Sequence, residues 1–192
     1  MKWLTRRGTG AALAVGVATV YGFGWRGFGL LLAFFLSSSL LSEKTTRNAR
    51  QVIANGGVAA LAALAGSWVG FSGALAAATS DTWASEIGRH SRRAPRLITS
   101  GMPVPAGTDG GITLLGTAGG VAGALFLAVL ARVLVPGGFL MAVAVAGIAG
   151  MLIDSLLGAT LQGRLRWLDN DAVNLAATAT GAGLAALIGM RS

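Results

Sequence analysis

Three carboxylates stand at positions where an apolar chain has little reason to place a charge. Asp81 and Glu86 lie in "AAATSDTWASEIG", with no lysine or arginine between them, and Asp154 lies in "MLIDSLLGATLQG". Carboxylates inside apolar segments are costly, and oxygen ligands suit Mg²⁺. We therefore interpret Asp81, Glu86 and Asp154 as metal ligands and catalytic residues. The alternatives are a solvated helix end for the first two and a hydrogen bond between helices for Asp154.

A second set of residues has the properties of a phosphate site. The turn "PVPAGTDGG" leaves backbone N–H groups open just before a predicted helix start, and "SEKTTRNARQ" places cations at another helix start. No Lys-Ser/Thr pair follows the glycines, so the turn is not a Walker A motif. A plain connector and basic residues on the cytoplasmic side are the alternatives. The predicted nucleotide- and phosphate-binding residues are Lys44, Arg47, Asn55, Arg96, Gly107, Thr108, Asp109, Gly110, Gly111 and Asn174.

The composition indicates a membrane protein of one domain, residues 1–192. Of 192 residues, 54% are hydrophobic and 11% charged, and the mean hydropathy is +0.69. The 30 glycines suit close helix packing in a bilayer. The absence of cysteine excludes disulfides and thiolate metal sites. Basic loops of a membrane protein explain the net charge of +8 more simply than nucleic-acid binding does.

The hydrophobic pattern predicts an all-α bundle of about seven membrane spans. A span needs about 20 apolar residues, and the first two predicted spans are short. The predicted spans are 8–23, 26–41, 49–66, 68–87, 111–134, 138–161 and 171–189. With a cytoplasmic N-terminus, every lysine and arginine except Arg26, Arg132 and Arg191 lies on the cytoplasmic side, together with all seven carboxylates. The sequence therefore predicts a site at the cytoplasmic face of the membrane.

Several long motifs, taken together, resemble one known family. They are "RNARQVIANGGVAALAAL", "SDTWASEIG", "PRLITSGMPVPAGTDGGITLLGT", "DSLLGATLQ" and "LDNDAVN". Their order and residues are similar to those of the membrane-protein family that contains plant phytyl-phosphate kinase and animal transmembrane protein 19. The similarity is greatest to the compact prokaryotic members, which implies a prokaryotic plasma membrane. That family is distantly similar to CTP-using membrane enzymes such as phytol kinase, dolichol kinase and CDP-diacylglycerol synthase. Within the family motifs Asp81, Glu86, Asp109 and Asp154 are the acidic positions, although Asp109 stands where Asn or Ser is common.

The resemblance implies an Mg²⁺-dependent kinase that uses a nucleoside triphosphate, with CTP expected, and a prenyl monophosphate as acceptor. Phosphoryl transfer needs metal-bound carboxylates and groups that hold phosphates, and the sequence offers both. A lipid alcohol kinase, a CDP-lipid-forming cytidylyltransferase and a lipid-phosphate transporter remain as alternatives, and a homodimer is left open. Small-residue segments at 56–66 and 116–125 are expected either to form a groove for the prenyl tail or to pack helices tightly.

Overall fold

The computed structural model describes residues 3–42, 46–134 and 139–190. In this part of the chain six helices and one small hairpin are joined by loops. The helices are α1 (Arg6–Leu41), α2 (Ala49–Leu64), α3 (Trp68–Gly88), α4 (Leu114–Leu134), α5 (Leu140–Thr160) and α6 (Asn170–Gly189). The strands β1 (Arg96–Leu97) and β2 (Gly111–Ile112) pair antiparallel between α3 and α4. The all-α class is confirmed. Four of the described helices, α1, α4, α5 and α6, are long and apolar enough to cross a membrane. The count of seven crossings and the cytoplasmic N-terminus stay predictions.

Helix α1 folds back on itself at Gly24. A straight helix of its 36 residues would be about 54 Å long, yet the rings of Trp3 and Phe35 lie 6.0 Å apart. Gly24 has φ +59° and ψ −153°, a backbone conformation that side chains with a Cβ rarely adopt. The break predicted between residues 23 and 26 is therefore confirmed. We name the two antiparallel halves α1a (residues 6–23) and α1b (residues 25–41).

Helix α2 runs parallel to α1a, and its start is fixed by side chains. Asn48 accepts a hydrogen bond from the Gln51 N–H, and the Gln51 side chain accepts one from the Asn48 N–H, which forms a capping box. Backbone hydrogen bonds join Thr5 N–H to the Arg47 carbonyl and Arg47 N–H to the Trp3 carbonyl, at 3.0 and 2.9 Å. The first residues of α1a and of α2 therefore lie at the same end of the bundle.

Helix α3 is the centre of the bundle and contacts every other helix. Its residues 70–80 are all buried, and nearly all of them are glycine, alanine, serine or threonine. Small side chains on every face let neighbouring helices approach α3 from all sides. Two buried hydrogen bonds join helices of the bundle. Ser80 Oγ of α3 donates to the Gly120 carbonyl of α4 at 2.8 Å, and Thr178 Oγ1 of α6 donates to the Ala54 carbonyl of α2 at 3.0 Å.

The polar helix ends meet at one face of the bundle. Ser42 Oγ, after α1b, donates to Glu86 near the end of α3 at 3.0 Å. Arg50 at the start of α2 donates to Asp169 before α6 at 2.8 Å. Asp169 caps α6, because its side chain accepts from the Ala172 N–H. This hydrogen bond and Arg50 hold the pKa of Asp169 below its usual range.

The 116–125 segment forms a tight helix interface and no groove. A Cβ added at Gly119 would lie 2.8 Å from Ile87, and one added at Gly123 would lie 3.0 Å from Trp83. Both neighbours belong to α3, which fills the space that a lipid tail would need. Of the two alternatives for this segment, the structure therefore favours tight packing, since the small residues here serve the packing of α4 on α3.

Candidate active site

A polar cavity of about 390 Å³ opens at the face where the helix ends meet. Residues of α2, α3, α5 and α6, the start of α4, and the segment between α3 and α4 line it. Among the residues predicted from the sequence, the lining includes Arg47, Asn55, Asp81, Glu86, Gly107, Thr108, Asp109, Gly110, Gly111, Asp154 and Asn174. Residues from distant parts of the sequence thus reach one cavity, although the role predicted for each is a separate question.

Asp81 and Asp154 lie side by side because α3 and α5 run parallel in close contact. A Cβ added at Gly150 would overlap the Cβ of Ala77, so the two backbones approach closely at that level. Asp81 and Asp154 each follow four residues later, on the same faces of the two helices. Their side chains are within hydrogen-bonding reach of each other, and both are partly exposed to the cavity. The close helix contact at Gly150 therefore builds the carboxylate pair.

The carboxylate pair fits a magnesium ion that takes its other ligands from a substrate. No group of three or more His, Cys, Asp or Glu side chains able to hold a metal ion occurs within residues 3–42, 46–134 and 139–190. Mg²⁺ is commonly held by one or two carboxylates, with phosphates and waters completing its octahedron. Asp81 and Asp154 meet this requirement, and Asp109 interacts electrostatically with Asp154 from the neighbouring loop.

Glu86 belongs to a different set of contacts from the aspartate pair. It is 6% exposed and accepts hydrogen bonds from Arg89 at 2.9 Å and from Ser42 at 3.0 Å. Arg47 also interacts with it electrostatically. These contacts indicate that Glu86 orders the cations at the edge of the cavity. Its predicted role as a metal ligand stays a prediction.

Arg47 is a half-buried cation on the wall of the cavity. Burial lowers the pKa of its guanidinium from the ordinary value, and Glu86 partly offsets this effect. An arginine stays charged under these conditions. The guanidinium donates to the Ser38 carbonyl at 3.1 Å and forms no ion pair with the described carboxylates. Arg47 is therefore well suited to hold a phosphate group.

The segment between α3 and α4 folds over the end of α5. Gly110 has φ +73°, and a Cβ there would lie 2.6 Å from the Ser155 carbonyl oxygen and would overlap Ala159. The Gly110 carbonyl accepts from the Ile98 N–H at 3.0 Å. Only glycine fits this conformation and this approach, so Gly110 fixes the loop beside Asp154.

Some backbone N–H groups of the predicted phosphate-binding turn already form hydrogen bonds inside the turn. The N–H groups of Thr108 and Gly111 donate within the turn, to the carbonyls of Pro105 and Thr108. The N–H groups of Gly107, Asp109 and Gly110 form no hydrogen bond with the described part of the chain. These three are the backbone donors of the turn that remain for a phosphate, and Asp109 and Gly110 are the two that lie beside α5.

One predicted residue is not brought to the cavity, and another cannot be placed. The Arg96 guanidinium donates to the Gly101 carbonyl at 2.7 Å, and Arg96 does not contribute to the lining. Lys44 lies outside the described residues. Of the two amides, Asn55 donates to the Gln51 carbonyl at 3.0 Å, and Asn174 faces the cavity from α6.

Sequence reasoning missed several polar residues of the lining. Arg89 stands three residues after Glu86, a helical spacing that indicates an ion pair and that was the available signal. Arg93 is a second cation of the lining, and no sequence pattern separates it from neighbouring surface arginines. The missed polar lining residues also include Gln51, Thr82, Ser85, Thr113, Thr117, Ser155 and Gln162.

Comparison with known proteins decides the family. The model of the family described as integral membrane protein DUF92 matches residues 1–182. The chain belongs to this family. The resemblance inferred from the motifs is confirmed, and the chain is an integral membrane protein. No solved structure matches it.

Relatives of this DUF92 protein come from archaea, bacteria and plants. Uncharacterized membrane protein MJ0933 of Methanocaldococcus jannaschii is 37% identical over 96% of this chain and 85% of its own length. Protein PGR of Arabidopsis thaliana is 34% identical over 72% of this chain and 65% of its own. Protein VTE6, chloroplastic, of the same plant is 28% identical over 90% and 61%. The two plant proteins thus contain about a third of their length outside the matched region.

Proposed function

We propose that this protein is a membrane-embedded kinase that transfers a phosphoryl group from a nucleoside triphosphate to a prenyl or phytyl monophosphate. The donor is CTP, the product is the prenyl diphosphate, and the reaction takes place at the cytoplasmic face. The observation that carries the proposal is the pair Asp81 and Asp154, which faces a polar cavity at one end of an apolar bundle. The family resemblance to phytyl-phosphate kinase supplies the choice of substrate.

The carboxylate pair has the composition required for phosphoryl transfer. Asp81 and Asp154 would hold Mg²⁺, which neutralises charge on the transferred phosphoryl group when it is bound. Arg47 and Arg93 are cations of the same lining, and each can donate two parallel hydrogen bonds to a phosphate. The N–H groups of Asp109 and Gly110 add donors on the side of α5.

The acceptor brings its own nucleophile. An oxygen of the prenyl monophosphate forms a bond to the γ-phosphorus, while the bond from that phosphorus to the β–γ bridging oxygen breaks. The nucleoside diphosphate leaves with the electrons of that bond. A phosphate oxygen is ionised at neutral pH, so the protein needs no strong general base. Its residues act by positioning two anionic reactants in line and by offsetting their repulsion.

Product analysis on purified protein in lipid nanodiscs tests the proposal. Phytyl monophosphate is supplied with Mg²⁺ and with CTP, ATP, GTP or UTP in turn. We expect phytyl diphosphate and a nucleoside diphosphate in equal amounts, with the highest rate for CTP, and no product from the Asp154→Asn variant. Release of pyrophosphate would identify a cytidylyltransferase. Failure of all four nucleotides, with phytyl phosphate crossing liposomes instead, would identify a transporter; either result overturns the kinase.

A further inference from the structure

An apolar cavity of about 240 Å³ lies between the two halves of α1 and the first half of α2. Leucine, valine, phenylalanine and small residues form most of its lining, among them Leu31, Phe34 and Val52. Leu13 and Leu32 belong to the lining and are 65% and 39% exposed at the protein surface. Because this surface belongs to an apolar helix of an integral membrane protein, the cavity reaches the region of the lipid chains.

Three residues line both the apolar and the polar cavity. They are Arg47, which lies just before the Asn48 cap of α2, and Gln51 and Asn55, which lie one turn apart on the same face of α2. Together they form one stripe at the start of the helix. On one side of this stripe lie hydrocarbon side chains, and on the other lies the cavity with the aspartate pair. A ligand that meets both environments at this wall must have an apolar chain and a polar head.

The dimensions of the apolar cavity follow from the helices that bound it. From the first residue of α2, Ala49, to Gly56 is seven residues, which is about 10 Å along the helix axis, and Arg47 lies just before that start. Gly16 and Phe28 line the cavity at the Gly56 end, because Val15 contacts Gly56 and the Phe28 ring contacts Gly16. The cavity therefore points from the charged face toward the interior of the bilayer, which is the direction of a lipid chain whose head lies at Arg47.

We propose that the α1 hairpin and α2 form the binding site for the hydrocarbon chain of the acceptor, with its phosphate at Arg47. This assignment rests on the proposed function for the identity of the acceptor, a prenyl monophosphate. It replaces the expected groove along 116–125. The chain enters sideways from the bilayer between Leu13 and Leu32, and Arg47 holds the phosphate on the wall that the two cavities share.

Photolabelling locates the chain without any catalysis. The probe is a phytyl monophosphate with a diazirine at the far end of its chain, applied to the wild-type protein in nanodiscs without nucleotide. We expect labelled peptides from residues 9–16, 28–35 and 52–56. Labelling of α4 or α5 instead, or no labelling that excess phytyl monophosphate competes away, overturns the assignment.

Two further comparisons test the head and the depth of the site. A phytyl alcohol probe that labels as strongly as the monophosphate probe would refute Arg47 as the head site, whereas we expect Arg47→Gln to lower labelling by the monophosphate alone. Gly16→Leu fills the cavity, because a Cβ there meets nothing closer than the Phe28 ring at 3.7 Å. Gly10→Leu is the matched control, since Gly10 lies in the same half-helix, is exposed and has no atom within 4 Å of an added Cβ.

The expected effect of Gly16→Leu is about a tenfold loss of affinity for phytyl monophosphate, or about 1.4 kcal/mol. Affinity for isopentenyl monophosphate should not change, because its short chain ends before Gly16. Equal losses for the two ligands, or an equal effect of Gly10→Leu, would overturn the assignment. Kinase activity with labelling elsewhere would reject this site and keep the function. Labelling here without phosphoryl transfer would keep the site and reject the function.

Discussion

Glu86→Gln distinguishes a residue that orders cations from a residue that binds metal. The substitution keeps the shape of the side chain and removes its charge. One oxygen remains to accept from Ser42, but the other becomes an NH₂ group that faces the Arg89 guanidinium. In the wild-type protein this guanidinium lies 2.9 Å from the Glu86 carboxylate. We therefore expect Glu86→Gln to destabilise the fold while leaving the aspartate pair able to bind Mg²⁺.

The expected loss of stability follows from the contacts that are removed. A hydrogen bond to a charged group contributes about 1.5–3 kcal/mol. The Arg89 side chain is 42% exposed, so water recovers part of this loss, and exposed ion pairs contribute about 1 kcal/mol or less. We estimate a net cost of about 1–2 kcal/mol. For a domain of this length that corresponds to a decrease of about 2–8 °C in melting temperature.

The assay is thermal unfolding in detergent, with and without Mg²⁺ and CTP. Glu86→Gln should unfold at a lower temperature than wild type and keep the increase that Mg²⁺ and CTP produce. Asp81→Asn should lose that increase, since ligand binding stabilises the folded state only where the ligand binds. A Glu86→Gln, Arg89→Gln double-mutant cycle isolates the energy of the pair. If Glu86→Gln unfolds like wild type and no longer responds to Mg²⁺, Glu86 is a metal ligand and our interpretation is refuted.

Three further predictions concern other parts of the protein. Asp81→Asn and Asp154→Asn should each reduce turnover below detection. The protein without ligand should stay at least as stable as wild type, because each substitution removes the charge of one of two adjacent carboxylates. Normal turnover in either variant would remove that residue from the site. Gly150→Ala should cost about 1–3 kcal/mol in unfolding measurements and lower turnover by moving α5 away from α3. Gly183→Ala, with nothing within 4 Å of an added Cβ, should instead stabilise α6 by about 0.5–1 kcal/mol. A reporter fused to the C-terminus should be extracellular, and cytoplasmic labelling would contradict the predicted topology.

The sequence was sufficient to single out the two carboxylates that the structure brings together. Asp81 and Asp154 stood out because each lies in an apolar helix without a local cation, and the structure places them side by side. Their pairing could not be derived from the sequence, since it depends on the parallel contact of α3 and α5 at Ala77 and Gly150. A pattern along one helix indicates which face is apolar, but it does not determine which other helix lies against that face.

The sequence offered least support where two residues, or two roles for one segment, fit the same pattern equally well. Arg96 and Arg93 are both arginines of the same basic loop, yet Arg93 lines the cavity while Arg96 donates to the Gly101 carbonyl. The β1–β2 pairing decides between them, and strands of two residues leave no periodic signal. The small residues of 116–125 were likewise compatible with a groove or with tight packing, and only the position of α3 distinguishes the two.

The position of the two cavities fits the proposed reaction between a lipid acceptor and a water-soluble donor. The buried residues 70–80 of α3 close the centre of the bundle, so the polar cavity is accessible from the charged face. The apolar cavity lies on the outer side of α2, between the two halves of α1 that are joined at Gly24. Arg47 stands at the wall that they share, beside the ion pair of Glu86 and Arg89. Under this arrangement the nucleotide arrives from water and the lipid from the bilayer, and neither has to cross the membrane for their phosphates to meet.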